Sequence, residues 1–287
     1  MQNQEYVLAA LDMDGTLLNS RHEISDYTRR ALSRAGAAGY QIALATGRCV
    51  SELVKPLQGL DAVRYLISEN GARIYDYWDK RTLQCTEIAP EEVRFILEQA
   101  RRMDVILQVF TSGQSVIGGE KDKIDYERHR VAFFRSVFEE GSVFEPDIAG
   151  RLLRGEKTAG KINLYFADAD QRAEMLGLLE GHALAVAESI GLSLELSPAG
   201  VDKGRGLRAL CRALNVDIAR TLAVADGGND LELMRAAGLA VAMGNAIPAV
   251  RALAGDVTDD CDHDGAAHAI EKYMPRADCG CGMKCVG

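Results

Sequence analysis

The sequence is poor in proline and aromatic residues and has no excess of basic residues. It has 6 prolines in 287 residues, and phenylalanine, tyrosine and tryptophan together make up 6%. A low proline content excludes a collagen-like chain, and 47% hydrophobic residues exclude a disordered one. Lysine and arginine number 33 against 42 aspartates and glutamates, which gives a net charge of −9. Because this charge repels nucleic-acid phosphates and anionic membrane surfaces, we expect neither as a partner.

Long apolar runs and a secretion signal are also missing. No segment is long enough to span a bilayer, and no basic lead precedes a cleavable apolar stretch at the N-terminus. The 7 cysteines are an odd number without the density of a secreted disulfide framework, so we predict a cytoplasmic protein. Residues 279–287 form a glycine-rich tail that we expect to be mobile. Whether its cysteines bind a metal stays open, because their spacing lacks a paired C-x-x-C zinc pattern: Cys279, Cys281 and Cys285.

Apolar runs of strand length alternate with segments of helical period near both ends of the chain. Residues 6–11, 40–45 and 222–225 are strand-like runs, and residues 25–38 have helical character with Ser25 as a cap. A second helix follows Lys203 and carries an apolar stripe. This alternation predicts an α/β fold with a doubly wound, Rossmann-like parallel sheet.

The pattern changes between residues 83 and 190, where longer strands at 104–111 and 161–166 mix with helices. We interpret 83–190 as an inserted α+β domain. Residues 1–82 and 191–287 would then form one discontinuous core domain.

Two clusters of acidic residues follow predicted strands. Asp12 and Asp14 end the run LAALDMD, and Asp226 and Asp230 follow the run 222–225. Ligands of open α/β sheets bind beyond the carboxyl ends of the strands, so both clusters belong at such a site. Close carboxylates repel unless a cation joins them, and Mg²⁺ prefers oxygen ligands. Asp-x-Asp alone is also a common turn former.

Further features suited to an anion lie at another strand end and at a helix start. Thr46, Gly47 and Arg48 follow the run 40–45 and offer a hydroxyl and backbone amides to phosphate oxygens. We interpret Arg48 itself as structural or as a charge at the entrance. Lys203 places a cation at the start of a helix, which favours an anion as well.

In this order the features resemble the four motifs of the haloacid dehalogenase superfamily. Residues 68–72, 233–238 and 241–246 are similar to the Cof-type sugar-phosphatase branch, which carries a large α/β cap between the second and third motifs. Residues 83–190 lie at that place. One departure is Ala225, where the family usually has glycine. The motif residues are Asp12 with Asp14, Thr46, Lys203, and Asp226 with Asp230.

The resemblance implies a phosphatase with an aspartyl-phosphate intermediate, acting on small phosphorylated metabolites and most of all on sugar phosphates. By it, Asp12 is the nucleophile and Asp14 the general acid and base. It also implies that Mg²⁺ is held by Asp12, the Asp14 carbonyl and Asp226, with Asp230 in support. The phosphate-binding residues would be Thr46, Gly47, Lys203 and Asn229.

Three other activities use the same residues. A phosphomutase would keep the phosphoryl group for a second acceptor, and a sensor of phosphorylated ligands would bind without turnover. A dehalogenase is disfavoured, because Asp14 implies a leaving group that needs a proton. The sequence leaves the oligomeric state open.

Two local patterns partly match the motifs of other binding sites, a nucleotide P-loop and an EF-hand calcium loop. Residues 155–161 match most of a nucleotide P-loop, but Ile162 stands where serine or threonine is needed, and Lys161 begins a strand. Residues 260–271 have the spacing of an EF-hand calcium loop without an entering helix, and we favour a loop before a short helix. In the inserted domain, we expect residues that determine specificity, but polar candidates such as Arg154, Lys157, Lys161 and Asn163 are equally compatible with a solvated surface.

Overall fold

A computed structural model describes residues 6–188 and 191–275. In chain order, its strands are β1 (Leu8–Leu11), β2 (Gln41–Ala45), β3 (Val63–Ser68), β4 (Arg73–Asp76), β5 (Arg81–Cys85), β6 (Val105–Thr111), β7 (Gln114–Ile117), β8 (Ser142–Phe144), β9 (Lys161–Phe166), β10 (Leu184–Glu188), β11 (Ser193–Pro198), β12 (Thr221–Ala225), β13 (Leu239–Ala242) and β14 (Asp256–Val257).

The α-helices in chain order are α1 (Asp26–Ala37), α2 (Val50–Leu53), α3 (Pro90–Ala100), α4 (Arg135–Gly141), α5 (Ile148–Leu153), α6 (Ala169–Leu178), α7 (Lys203–Leu214), α8 (Leu231–Ala236), α9 (Pro248–Arg251) and α10 (Gly265–Tyr273). Short 3₁₀ turns join several of these elements. In the described ranges, no helix is both long and apolar enough to cross a bilayer.

The larger sheet, which we call the core sheet, has eight strands in the order β14-β13-β12-β1-β2-β3-β4-β5. Its pairs are parallel from β14 to β3, and β4 and β5 add an antiparallel edge. The central strands are apolar along their whole length because helices cover both faces, and all four residues of β1 are fully buried. The predicted doubly wound parallel fold is therefore confirmed.

Two helices of the core show how the sequence sets the local structure. Helix α1 begins after Ser25, whose hydroxyl accepts a hydrogen bond from the Thr28 amide at 3.0 Å. Helix α7 begins after Asp202, whose carboxylate accepts from the Arg205 amide at 2.7 Å. The apolar stripe of α7 packs into the core, so the helix start, and with it Lys203, is held against the sheet.

The smaller sheet, which we call the cap sheet, has six strands in the order β10-β11-β9-β6-β7-β8. Its pairs are antiparallel except for β7 with β8. Strand β5 still belongs to the core sheet and β11 to the cap sheet. The chain therefore changes sheets after Cys85 and after Pro198, whereas the sequence predicts domain boundaries at 82/83 and 190/191.

The structure shows the local conformation of the two patterns that partly match other kinds of site. Lys161 begins strand β9, as expected, so 155–161 does not lead into the helix of a P-loop. Glu271 lies in α10 and accepts a hydrogen bond from the Tyr27 hydroxyl at 2.6 Å, while Asp260 caps the 3₁₀ turn 261–263. Within the described ranges, the acidic residues that lie close enough together to hold a metal ion are Asp12, Asp226 and Asp230, which are outside 260–271. The tail 279–287 lies outside the described residues.

Candidate active site

The two acidic clusters meet at the carboxyl edge of the core sheet. Strands β1 and β12 are parallel neighbours with Leu11 opposite Val224, so the residues that follow them lie side by side. The Asp12 amide donates to the Val224 carbonyl at 2.9 Å, which continues the pairing to the start of the site. One carboxylate oxygen from each of three residues lies within 4.8 Å of the others: Asp12, Asp226 and Asp230.

Lys203 stands between two of these carboxylates. Its ammonium donates to Asp12 Oδ1 at 2.6 Å and to Asp230 Oδ1 at 2.7 Å, and the residue is 1% exposed. Burial by itself lowers the pKa of Lys203, but the two carboxylates raise it above its ordinary value. Burial raises the pKa of the Asp12 carboxyl, and the negative charge of Asp230 raises it further. The ammonium of Lys203 lowers this pKa but does not cancel the rise. The site therefore holds more negative charge than its lysine balances.

Asp226 is fixed by neighbours on two loops. Its Oδ1 accepts from the Thr16 hydroxyl at 2.8 Å, and its Oδ2 accepts from the Asn245 amide at 3.3 Å. Asn245 also donates to the Gly15 carbonyl at 2.8 Å, which ties the loop after β1 to the loop after β13. Gly15 has φ +81°, and a Cβ there would stand 2.5 Å from Asp226 Oδ2. Only glycine leaves room for the carboxylate.

The loop after β2 supplies the hydroxyl and backbone predicted for phosphate binding. Thr46 is buried, and its side-chain oxygen accepts from the Arg48 amide at 3.2 Å. The Arg48 guanidinium donates to both oxygens of Asp14, at 3.1 Å from Nε and 2.5 Å from Nη2. Asp14 is exposed. The sequence did not point to this pairing, because a lone arginine after a strand end carries no signal of its partner.

A cavity of about 1320 Å³ connects these residues with the cap sheet. The predicted site residues divide into two groups around it. Those that line the cavity are Asp12, Asp14, Thr46, Gly47 and Asn229. Those that contact Asp12 or lie beside it in the carboxylate cluster are Lys203, Asp226 and Asp230.

Two of the four polar cap residues belong to the cavity wall. Lys161 is 2% and Asn163 is 4% exposed, and both line the cavity, so they are not a solvated surface. Arg154 is half exposed in ion pairs with Asp147 and Glu156, as the solvated interpretation expects. The overlooked signal was the alternation of polar and apolar residues along 161–166, which assigns Lys161 and Asn163 to one face of a strand.

The donor set fits a hard divalent cation. Three carboxylates with one ammonium leave an excess of negative charge, and carboxylate oxygens are the ligands that Mg²⁺ prefers. Asp226 is partly exposed, so the cluster is not sealed. Together, a doubly wound core, a carboxylate cluster at the carboxyl edge of its sheet and a cap over a cavity are the features of a phosphoryl-transfer protein.

Comparison with known proteins agrees with this class. Residues 9–270 match the family of haloacid dehalogenase-like hydrolases. The chain belongs to this family, and the predicted resemblance to the superfamily and its Cof-type branch is confirmed.

Relatives resemble the chain over nearly its whole length. Phosphatase YwpJ of Bacillus subtilis is 28% identical over 93% of this chain and 99% of its own length. The HMP-PP phosphatase of Cronobacter sakazakii is 29% identical over 93% and 95%. A haloacid dehalogenase-like hydrolase from Bacteroides thetaiotaomicron has a solved structure with a TM-score of 0.79, 29% identity and coverage of 93% and 99%. The protein is a phosphatase, a phosphoric monoester hydrolase.

Proposed function

We propose that the protein is a Mg²⁺-dependent phosphatase of small phosphorylated metabolites, sugar phosphates above all, that works through a phosphorylated Asp12. The observation that carries the proposal is the convergence of Asp226, Asp230 and Lys203 on Asp12 beside a cavity that reaches the cap sheet. Such an arrangement supports a carboxylate nucleophile, because Lys203 together with a divalent cation held by the carboxylates would balance the charge of Asp12 and of the phosphoryl group.

In the first step, an Asp12 carboxylate oxygen attacks phosphorus in line with the ester oxygen. A new bond joins that oxygen to phosphorus while the bond from phosphorus to the ester oxygen breaks. Asp14 protonates the departing oxygen, so that an alcohol leaves. In the structure both oxygens of Asp14 accept from Arg48, so Asp14 must leave this ion pair and take up a proton before it can act as the acid; its exposed carboxylate lies in the wall of the cavity.

In the second step, water attacks the phosphorus of the aspartyl phosphate. Asp14, which lost its proton to the alcohol, now takes one from the water. The bond between phosphorus and the Asp12 oxygen breaks, and inorganic phosphate and the free carboxylate result. The two steps together consume one ester and one water and restore both aspartates.

The remaining residues bind the phosphoryl oxygens or the metal ion. Lys203, Thr46, Gly47 and Asn229 are assigned to the phosphoryl oxygens, which leaves Asp226 and Asp230 to hold the metal with Asp12 and the Asp14 carbonyl. When bound there, Mg²⁺ supplies positive charge that reduces the repulsion between the nucleophile and the phosphate. Thr46 suits its role because its side-chain oxygen and the Gly47 backbone lie at a strand end beside the cavity.

The choice of substrate rests on the cap side of the cavity. Its buried wall contains amide, hydroxyl, ammonium and carboxylate groups, which suit a leaving group with many hydrogen-bonding groups. Relatives of the chain include an HMP-PP phosphatase and a 5-amino-6-(5-phospho-D-ribitylamino)uracil phosphatase. Both names describe small phosphorylated metabolites, which supports the same class of substrate for this chain.

The test is the release of inorganic phosphate from sugar, nucleotide and cofactor phosphates, first with Mg²⁺ and then with a chelator. We expect release with Mg²⁺, fastest from a sugar phosphate, and loss of release with the chelator. An isomerised phosphosugar instead of free phosphate would identify a phosphomutase. Binding of the esters without any product would identify a sensor and contradict the proposal.

A further inference from the structure

One face of the cap sheet is polar although it is buried. Along β9, Ile162, Leu164 and Phe166 pack into an apolar cluster of the cap, and the residues between them face the other way. We call the opposite face, where it lines the cavity, the polar cap face. Its members are Gln108, Lys161, Asn163, Tyr165, Ser193 and Glu195.

The centre of the polar cap face is a row of three residues on adjacent strands. Gln108 on β6 stands opposite Asn163 on β9, and Asn163 stands opposite Glu195 on β11. Side chains opposite each other on antiparallel strands are close enough to interact. Asn163 therefore has a neighbour on either side.

The amide of Gln108 is oriented by a carboxylate from the core. Gln108 Nε2 donates to Glu52 Oε1 at 2.8 Å, and the other oxygen of Glu52 accepts from the Cys49 amide at 3.1 Å. The backbone N–H of Cys49 can only donate, so one oxygen of Glu52 is its acceptor. The other oxygen is an acceptor for Gln108, because an ionised carboxylate has no hydrogen to donate. Gln108 must turn its NH₂ group to Glu52 and its carbonyl oxygen away.

That carbonyl oxygen in turn orients Asn163. Gln108 Oε1 accepts from Asn163 Nδ2 at 2.9 Å and from the Tyr165 hydroxyl at 2.6 Å. Asn163 must then present its NH₂ group to Gln108, which leaves its Oδ1 at the other end of the amide. This oxygen is buried and has no hydrogen-bond partner in the described chain. A buried acceptor without a partner is rare in folded proteins, and Asn163 lines the cavity.

We propose that Asn163 is a specificity-determining residue whose Oδ1 accepts a hydrogen bond from a hydroxyl of the leaving group, and that Glu52 positions it through Gln108. The inference rests on the proposed phosphatase function and deepens it. We call the hydrogen bonds from Glu52 through Gln108 to Asn163 the relay. While Glu52 holds Gln108 in place, the relay turns the NH₂ group of Asn163 to Gln108, so Asn163 cannot offer this group to the substrate.

The neighbouring charges favour an uncharged leaving group. Lys161 Nζ lies 2.6 Å from a Glu195 carboxylate oxygen and donates to the Gly47 carbonyl at 3.1 Å. Because Glu195 balances the ammonium, the wall beside Asn163 offers no net positive charge to a second phosphate. The expected class is a monophosphate whose leaving group carries neutral hydroxyls.

The first experiment replaces the acceptor and measures a change in selectivity. Selectivity is the kcat/KM for the best sugar monophosphate of the panel divided by that for p-nitrophenyl phosphate, whose leaving group has no hydroxyl donor. We expect Asn163→Leu to lower this ratio about tenfold or more. The matched control is Arg154→Gln, which changes an exposed polar residue of the same domain outside the cavity and should leave the ratio as in the wild type.

The second experiment tests the relay and does not depend on Asn163→Leu folding. In Glu52→Gln the backbone of Cys49 still needs an acceptor, so the new amide presents NH₂ to Gln108. The side-chain amide of Gln108 and then that of Asn163 must rotate by half a turn, so that Asn163 presents its NH₂ group to the substrate. The selectivity ratio should then fall as in Asn163→Leu. Adding Gln108→Glu places one acceptor oxygen towards the amide at position 52 and another towards the NH₂ group of Asn163. The double variant should therefore recover the selectivity ratio. A role of Glu52 in stability alone would predict no such recovery.

Several outcomes would overturn the inference. The ratio could stay within twofold of wild type in Asn163→Leu, or the folded double variant could fail to recover it. A higher kcat/KM for fructose 1,6-bisphosphate than for fructose 6-phosphate would contradict the uncharged leaving group. Absence of phosphate release by the wild-type protein would instead contradict the proposed function, so the two failures are distinguishable.

Discussion

The ammonium of Lys203 lies 2.6 Å from the carboxylate of Asp12, although 191 positions separate them in the sequence. The contact joins the end of the first strand of the core sheet to the first residue of helix α7, after the chain has passed through the whole cap. Asp230 lies 2.7 Å from the same ammonium, so one lysine serves two buried carboxylates. Its loss would therefore affect both the proposed nucleophile and the fold.

The first prediction concerns the nucleophile. Asp12→Asn should reduce phosphate release by about 10⁴-fold or more, because an amide oxygen does not form the covalent intermediate. The fold should survive, since Lys203 keeps its bond to Asp230. Phosphate release with Mg²⁺ and the circular dichroism spectrum measure the two effects. Substantial metal-dependent activity in the variant would exclude Asp12 as nucleophile.

The second prediction concerns stability. Lys203→Met leaves the buried carboxylates of Asp12 and Asp230 without their cation, and we expect the free energy of unfolding to fall by about 3–5 kcal/mol. Urea unfolding in the presence of a chelator measures it, so that no metal replaces the lysine. The control Lys272→Met removes an exposed lysine from an ion pair with Asp256 and should change stability little. Equal losses in the two variants would contradict a special role for the buried lysine.

The sequence could predict the elements that place the site but not the contacts between them. Apolar runs reveal buried strands, and polar residues directly after them lie at a known edge of a parallel sheet, so Asp12, Thr46 and Asp226 could be found. Arg48 could not be assigned to Asp14, because 34 positions separate them and no periodicity relates a side chain on one loop to a side chain on the next.

The cap wall shows the same limit. Lys161 and Asn163 alternate with apolar residues, which indicates two different faces of a strand but not which face is covered by another domain. Their burial depends on how the cap sits over the core, through contacts such as that of Lys161 with the Gly47 carbonyl. Contacts of that kind depend on tertiary structure alone.

The third prediction concerns the metal. Mg²⁺ should raise the melting temperature by relieving repulsion in the carboxylate cluster, and a chelator should reverse the rise. Asp226→Asn should weaken both the rise and the activity, because it removes one of the three carboxylates. Asp259→Asn removes an exposed carboxylate outside the cluster and should respond to Mg²⁺ as the wild type does. Scanning calorimetry with and without Mg²⁺ gives the comparison, and equal responses in the two variants would contradict the assigned site.

The last prediction separates backbone strain from damage to the metal site. Gly15 and Gly39 both have left-handed backbone, at φ +81° and +93°, so alanine at either position should cost about 1 kcal/mol of stability. At Gly15 the new Cβ would also stand 2.5 Å from Asp226 Oδ2, whereas at Gly39 nothing lies within 4 Å.

Gly15→Ala should therefore lower kcat/KM by about 10²-fold and raise the Mg²⁺ concentration needed for half-maximal activity, because the methyl group would push the Asp226 carboxylate out of place by roughly 1 Å. Gly39→Ala should keep both values and lose stability alone. Titration of activity with Mg²⁺, alongside urea unfolding, measures the difference. If Gly15→Ala retained the wild-type Mg²⁺ dependence, Asp226 would not need its present position, and its assignment as a metal ligand would be wrong.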